Sequence, residues 1–164
     1  MNTNQHNEIN HFVEDMGLFF QQAGLSRMAG RVMGRLLISD PPHQTMHDLV
    51  ENLHASKASI SHATRLLIQI GFVDRVSFPG NRRDHYRIRP GAWVELTRRR
   101  AAHITAFREL AERGLGLVED QPLQQKAALR EMHDIYAFFE REFTPLLERW
   151  EQSRQSEAGT QSAK

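Results

Sequence analysis

At Gly71 the hydrophobic period of the chain changes, and this change constrains the fold more than any other feature. Upstream, two short segments carry apolar residues at helical spacing: Met46, Leu49, Val50 and Leu53, then Ile60, Ala63, Leu67 and Ile70. Thr45 and Asp48 have the spacing of a capping box, with Asp in place of the commoner Glu, and Ser56 is placed to cap the second segment. Downstream, Phe72, Val76 and Phe78 fall at even spacing, as do Tyr86 and Ile88 after a break. Between them "PGNRRD" supplies Pro79 and Gly80 for a type II turn, with Arg82 and Arg83 at or beside its tip. Two helices joined by a short turn and followed at once by a basic hairpin make a winged helix-turn-helix.

The flanks read as helices. Apolar residues from Ile9 to Ala23 line one face, Gly24 ends that helix, and Ser26 can cap a second with Met28, Val32, Leu36 and Leu37 inward. Gly30 and Gly34, one turn apart, admit the close approach of another backbone. Pro41-Pro42 stops this helix, and Pro90-Gly91 ends the hairpin. Two longer helices follow, from about Ala92 towards Leu117 and from about Pro122 to Glu151, the second bent at Pro145. The fold class is therefore mainly α with a small β-hairpin. Its expected organisation is an unstructured 1–7, supporting and dimerising helices over 8–40, and a winged helix-turn-helix core over 41–91. C-terminal helices with a candidate effector pocket cover 92–152, and an unstructured tail covers 153–164.

The overall charge of +1 conceals an uneven distribution. Residues 56–100 hold 10 Lys/Arg against 3 Asp/Glu, a net of +7, between two acidic flanks of −3 each. A polyanion would meet that window first. The chain has no Cys, so disulfides, thiolate metal sites and thiol catalysis are excluded. No apolar run approaches the roughly 20 residues that span a bilayer, and the N-terminus lacks a signal-peptide layout. The expectation is a cytoplasmic protein.

Small and basic residues crowd the front of the segment "SKASISHATRLLIQIG". A major groove admits one helix, and small side chains let its backbone come close. Ser56, Ser59 and Ser61 can donate to phosphates, and Ala58 can lie against a thymine methyl. Lys57, His62 and Arg65 can reach phosphates or base edges, with Arg65 on guanine the most specific pairing. Arg82 and Arg83 suit a minor groove, and Arg87 and Arg89 on the outer face of the second strand can track phosphates. A capped, wet helix and a solubilising charge run explain each feature alone; their shared window and order favour duplex DNA.

Other chemistry has less support. His47, Glu51 and His54 at i, i+4 and i+7 share one helical face and offer zinc-type donors, but a solvated polar stripe explains them equally well, so no metal is assigned. The sequence holds no P-loop, no G-x-S-x-G and no paired-carboxylate signature, so neither an enzyme nor a cofactor is expected. Phe19, Phe20, Trp93, Phe107, Tyr136, Phe138, Phe139 and Trp150 can line an effector pocket, though helical spacing makes most of them core or dimer contacts. A winged-helix module that docks an acidic protein without specific DNA binding is the alternative.

The segments "HFVEDMGLFFQQAGLSRMAGRVMGRLL", "SKASISHATRLLIQIGFVDRV" and "FPGNRRDHYRI" together resemble the MarR family of bacterial regulators, more closely its GbsR-like branch. The resemblance covers about residues 8–118. It implies a homodimer joined through its first and last helices, one wing per half-site of a near-palindromic operator, and repression altered by a small ligand. In the GbsR-like branch choline or glycine betaine can play that role, but no cage maps residue by residue onto this chain, so the effector stays open. Independently, the terminal helices carry more apolar face than a small winged helix can cover, which also favours dimerisation.

Overall fold

The computed structural model describes residues 3–80 and 83–161. They form six α-helices and a three-stranded antiparallel sheet, in two compact units that divide between Ala92 and Trp93.

The first unit begins with α1 (Thr3–Gln22) and α2 (Arg27–Leu37). Helix α1 starts at Thr3, within the stretch expected to be unstructured, and Asn4 donates to Glu8 across its first turns (3.5 Å). Gly24, at φ 78°, closes α1, and Ser26 caps α2 by accepting from the Ala29 amide (3.4 Å). The two helices meet where glycines remove the side-chain spacer: a Cβ at Gly30 would lie 2.3 Å from the Met16 carbonyl oxygen. Glu14 of α1 accepts from Arg27 (2.9 Å) and pairs with Arg31 (2.7 Å), and Arg31 also donates to the Leu53 carbonyl (2.9 Å). Leu37, expected inward, is exposed; it is the last helical residue, where Met33 and Leu36 already fill the inner face.

Strand β1 (Gln44–Thr45) leads directly into α3 (Met46–Leu53), followed by α4 (Lys57–Gln69). The Thr45–Asp48 capping box forms in both directions. Val32, Met33 and Leu36 of α2 bury with Leu49 and Leu53 of α3 and with Ile60, Ala63 and Leu67 of α4. Strands β2 (Val73–Val76) and β3 (His85–Ile88) pair with Val73 opposite Ile88 and Val76 opposite His85. Strand β1 adds to the other edge of β3, giving the order β1-β3-β2. The even-spaced Phe72, Val76 and Phe78 do not form one buried row. Val73 is the fully buried strand residue, while Phe78, next to Pro79, lies beyond the strand and is exposed.

The second unit is an antiparallel hairpin of α5 (Ala92–Leu117) and α6 (Leu123–Gln161). Glu140 accepts from Thr105 (2.7 Å) and Arg108 (2.6 Å), Arg98 makes two bonds to Glu151 (2.9 and 3.0 Å), and Phe107 stacks on Tyr136 at 4.8 Å. Glu140 is held below the ordinary carboxylate range by the Thr105 hydroxyl first, then, against some desolvation, by Arg108. Helix α6 runs continuously through Pro145 and on to Gln161, past the 152 boundary expected for it. The tail is polar, but its Gln, Glu and Arg are good helix formers, so low hydrophobicity does not stop the helix there.

Candidate nucleic-acid interface

Helix α4 divides its residues sharply. Ile60, Ala63, Thr64 and Leu67 are buried, whereas Lys57, Ala58, His62 and Arg65 are exposed and Ser59 and Ser61 half-buried. Ser56, also exposed, starts the helix: its hydroxyl accepts from the Ser59 amide (3.2 Å). That bond uses a lone pair and leaves the hydroxyl proton available to an acceptor outside. Thr64 donates to the Ile60 carbonyl (3.0 Å), so the one polar residue on the inner face is satisfied within the helix. Arg65 lies along the outer face, its Nε donating to the Ser61 carbonyl (3.2 Å). No Asp or Glu interrupts α4.

The hairpin supplies the second group of cations. Gly80 has φ 78°, the value for the third residue of a type II turn after Pro79. Arg82 lies outside the described residues. Arg83 is exposed; its carbonyl accepts from His85 Nδ1 (3.0 Å), which anchors the foot of the loop to a buried imidazole. Arg75 pairs with Asp84 at 3.4 Å. Arg87 is exposed opposite Asp74, but that carboxylate is taken by Arg89 at 2.8 Å. Arg89, expected outward beside Arg87, is instead half-buried in this ion pair, because the acid one strand away neutralises it.

These elements converge. Lys57 of α4, Arg83 of the hairpin and His47 of α3 line one cleft of about 490 Å³, floored by Met46, Val50 and Tyr86. The sequence put Lys57 and Arg83 in one basic window; it did not reveal that His47 joins them. His47 lies in the first turn of α3, ten residues before Lys57, and no sequence spacing signals that the two share a cleft. Asp48, just beside, loses some ionisation to burial. Hydrogen bonds from the Thr45 hydroxyl and amide, with the fields of His47 and His85, outweigh that and hold its carboxyl below the usual range.

The His47, Glu51 and His54 stripe does not assemble. His47 and Glu51 pair at 3.4 Å, but α3 ends at Leu53 and His54 turns into the left-handed region (φ 47°, ψ 45°), leaving the shared face. Among the described residues no three His, Asp or Glu side chains are placed to hold a metal ion. The aromatic residues also separate. Phe20 is buried against Phe72 in the first unit, whereas in the hairpin Trp93 and Trp150 line an apolar cleft of about 380 Å³ with Thr97 and Phe143. Among the described residues no helix is long and apolar enough to cross a membrane.

Residues 91–154 match the family model described as "MmpR5-like MarR family transcriptional regulator". The chain is 39% identical over 145 residues to the HTH-type transcriptional regulator MmpR5 of Mycobacterium tuberculosis, covering 88% of each protein. It is also similar to a crystal structure described only as a transcriptional regulator, with 39% identity and a TM-score of 0.70 over 88% of this chain and 99% of the other. The family model and the mycobacterial relative carry the MmpR5 name, not that of the GbsR-like branch read from the first segment. With a winged helix-turn-helix in its first unit and the family's matched region in its second, the chain belongs to the MmpR5-like group of the MarR family of transcriptional regulators.

Proposed function

We propose that this regulator acts as a homodimer that binds a near-palindromic operator in duplex DNA and represses transcription until a small molecule binds. The observation that carries the reading is the acid-free outer face of α4, with Lys57 at its front sharing a cleft with Arg83 of the wing. In this reading α4 enters the major groove, Arg65 reads a guanine, and Ala58 meets a thymine methyl. Ser56, Lys57, Ser59, Ser61 and His62 meet phosphates or base edges beside it. Arg82 and Arg83 reach the flanking minor groove and the phosphates at its edge, and Arg87 meets the backbone.

Dimerisation rests on apolar surface that the single chain leaves open. Phe12 and Phe19 of α1 are 39% and 64% exposed, and in the hairpin Leu110, Phe138 and Leu146 are each at least 50% exposed. Large apolar side chains left open on each of these elements suit burial against a second copy of the chain. A twofold dimer then presents two α4 helices to half-sites about one helical turn apart.

The test is gel retardation of sheared genomic duplex. With roughly 6–10 phosphate contacts per dimer, affinity should fall about 10³–10⁵-fold between about 50 and 200 mM salt. Absence of any retarded duplex at the lower salt would instead favour a module that docks an acidic protein. For the effector, the paired Trp93 and Trp150 favour a quaternary ammonium compound, the GbsR-like chemistry. Arg154 already places its guanidinium 5.8 Å from the Trp150 ring centre, so this ring accepts a cation. Choline should raise the melting temperature of the wild-type protein and not of Trp150→Ala; equal shifts would remove this effector.

A further inference from the structure

We propose that His47 is a protonation-dependent phosphate contact, so that binding of DNA takes up a proton at the mouth of the Lys57–Arg83 cleft. The inference rests on the DNA-binding reading above and adds to it a residue and a form of regulation.

His47 stands in the first turn of α3, 64% exposed, and shares the cleft with the first residue of α4 and with the foot of the wing. Three groups able to carry positive charge, each from a different element, thus face one space. A phosphodiester drawn in by Lys57 and Arg83 lies beside the imidazole. The neutral ring can donate one hydrogen bond, but the imidazolium adds a full charge and a second donor.

The surrounding charges make the ring responsive to what enters. On its own helix, Glu51 sits 3.4 Å from Nε2 and Asp48 is close enough for His47 to favour its ionised form. Across the cleft, Lys57 and Arg83 oppose a third positive charge, while Asp84 favours it. A bound phosphate neutralises the opposing cations and adds an acceptor, so the balance shifts to the protonated ring. Imidazole is the side chain whose ordinary titration spans about pH 5 to 8, so this uptake falls in the physiological range. The sign follows: lower pH tightens binding, and the gain is lost as pH rises through the bound-state titration of the ring.

The experiment is fluorescence anisotropy with a mixed-sequence duplex of roughly 30 base pairs, at about pH 6 and about pH 8, across a salt series. The proteins compared are wild type, His47→Gln, Lys57→Ala, His62→Gln and the Lys57→Ala/His47→Gln double variant. Wild type should bind roughly five- to tenfold tighter at the lower pH, with a log–log salt slope steeper by about 0.9 for each subunit engaged. His47→Gln should have one slope at both pH values and bind at the lower pH as weakly as wild type does at the higher. His62→Gln should keep most of the difference. The Lys57 and His47 losses should combine to less than their product, as for groups sharing one phosphate. Full retention of the pH difference by His47→Gln, or its loss only in His62→Gln, overturns this inference and leaves the DNA reading intact. If wild type binds no duplex at either pH, both fail together.

Discussion

Gly30→Ala tests the helix pair that underlies the winged helix. The new methyl would sit 2.3 Å from the Met16 carbonyl oxygen and 2.8 Å from both the Gly17 Cα and the Phe20 Cβ. Carbon contacts are comfortable at about 3.5–4.0 Å, so α1 must retreat by roughly 1 Å. Two of these neighbours are backbone atoms, which no rotamer change can relieve. Retreat loosens the packing of Val13 and Phe20, the buried hydrophobic residues of α1. Overpacking of this kind costs about 3 kcal/mol, offset by the roughly 1 kcal/mol that alanine gains over glycine in a helix. The net loss is about 2 kcal/mol, or a melting temperature lower by about 4–8 °C. Gly116→Ala is the control: it is helical, and a Cβ there meets nothing within 4 Å. It should stabilise by about 0.5–1 kcal/mol. Urea and thermal denaturation of both variants, beside the wild type, measure the contrast. If Gly30→Ala melts within about 1 °C of wild type, where about 2 kcal/mol was expected, the helices are not packed this closely.

Further perturbations follow from the same contacts. Thr45→Ala removes the hydroxyl that accepts from the Asp48 amide and should cost about 1 kcal/mol in urea unfolding. Because Asp48 is held below its ordinary range when folded, its contribution is complete above the unfolded-state value and fades as pH falls through the folded one. The Thr45→Ala deficit should therefore shrink in acid, and a deficit unchanged in acid would contradict the capping account. Glu140→Gln should lower the melting temperature by weakening the α5–α6 hairpin. That difference should close as acid protonates Glu140 in the wild type, whose folded-state titration lies low. Arg87→Ala should weaken binding about equally on all duplexes and reduce the salt slope by about 0.9 per subunit; a sequence-selective loss would assign it to bases instead.

The local elements of the site were legible because each is set by neighbours in sequence. Ser56 caps α4, the Thr45–Asp48 box starts α3, and Ile60, Ala63 and Leu67 turn inward at helical spacing. Gly30 and Gly34 also announced a close helix approach, since little else explains two glycines one turn apart inside an amphipathic helix. What escaped the sequence depends on distant partners or on very short elements. Strand β1 has two residues, too few to show a period. The ring of Phe78 packs against His43 at 4.7 Å, a contact between segments far apart in the chain, and against His85 across the hairpin at 4.9 Å. Arg89 was read as a phosphate-tracking residue because strand alternation says nothing of an acid on the neighbouring strand. The His47, Glu51 and His54 stripe failed because i+7 spacing has meaning only if the helix continues, and α3 stops one residue short.

Enrichment of duplexes from a random library shows whether the outer face of α4 reads base sequence. Wild type should enrich a near-palindrome with half-sites about one helical turn apart. Arg65→Ala should enrich the same spacing with preference lost at one guanine in each half. Identical motifs from the two proteins, or no motif from either, would contradict that reading.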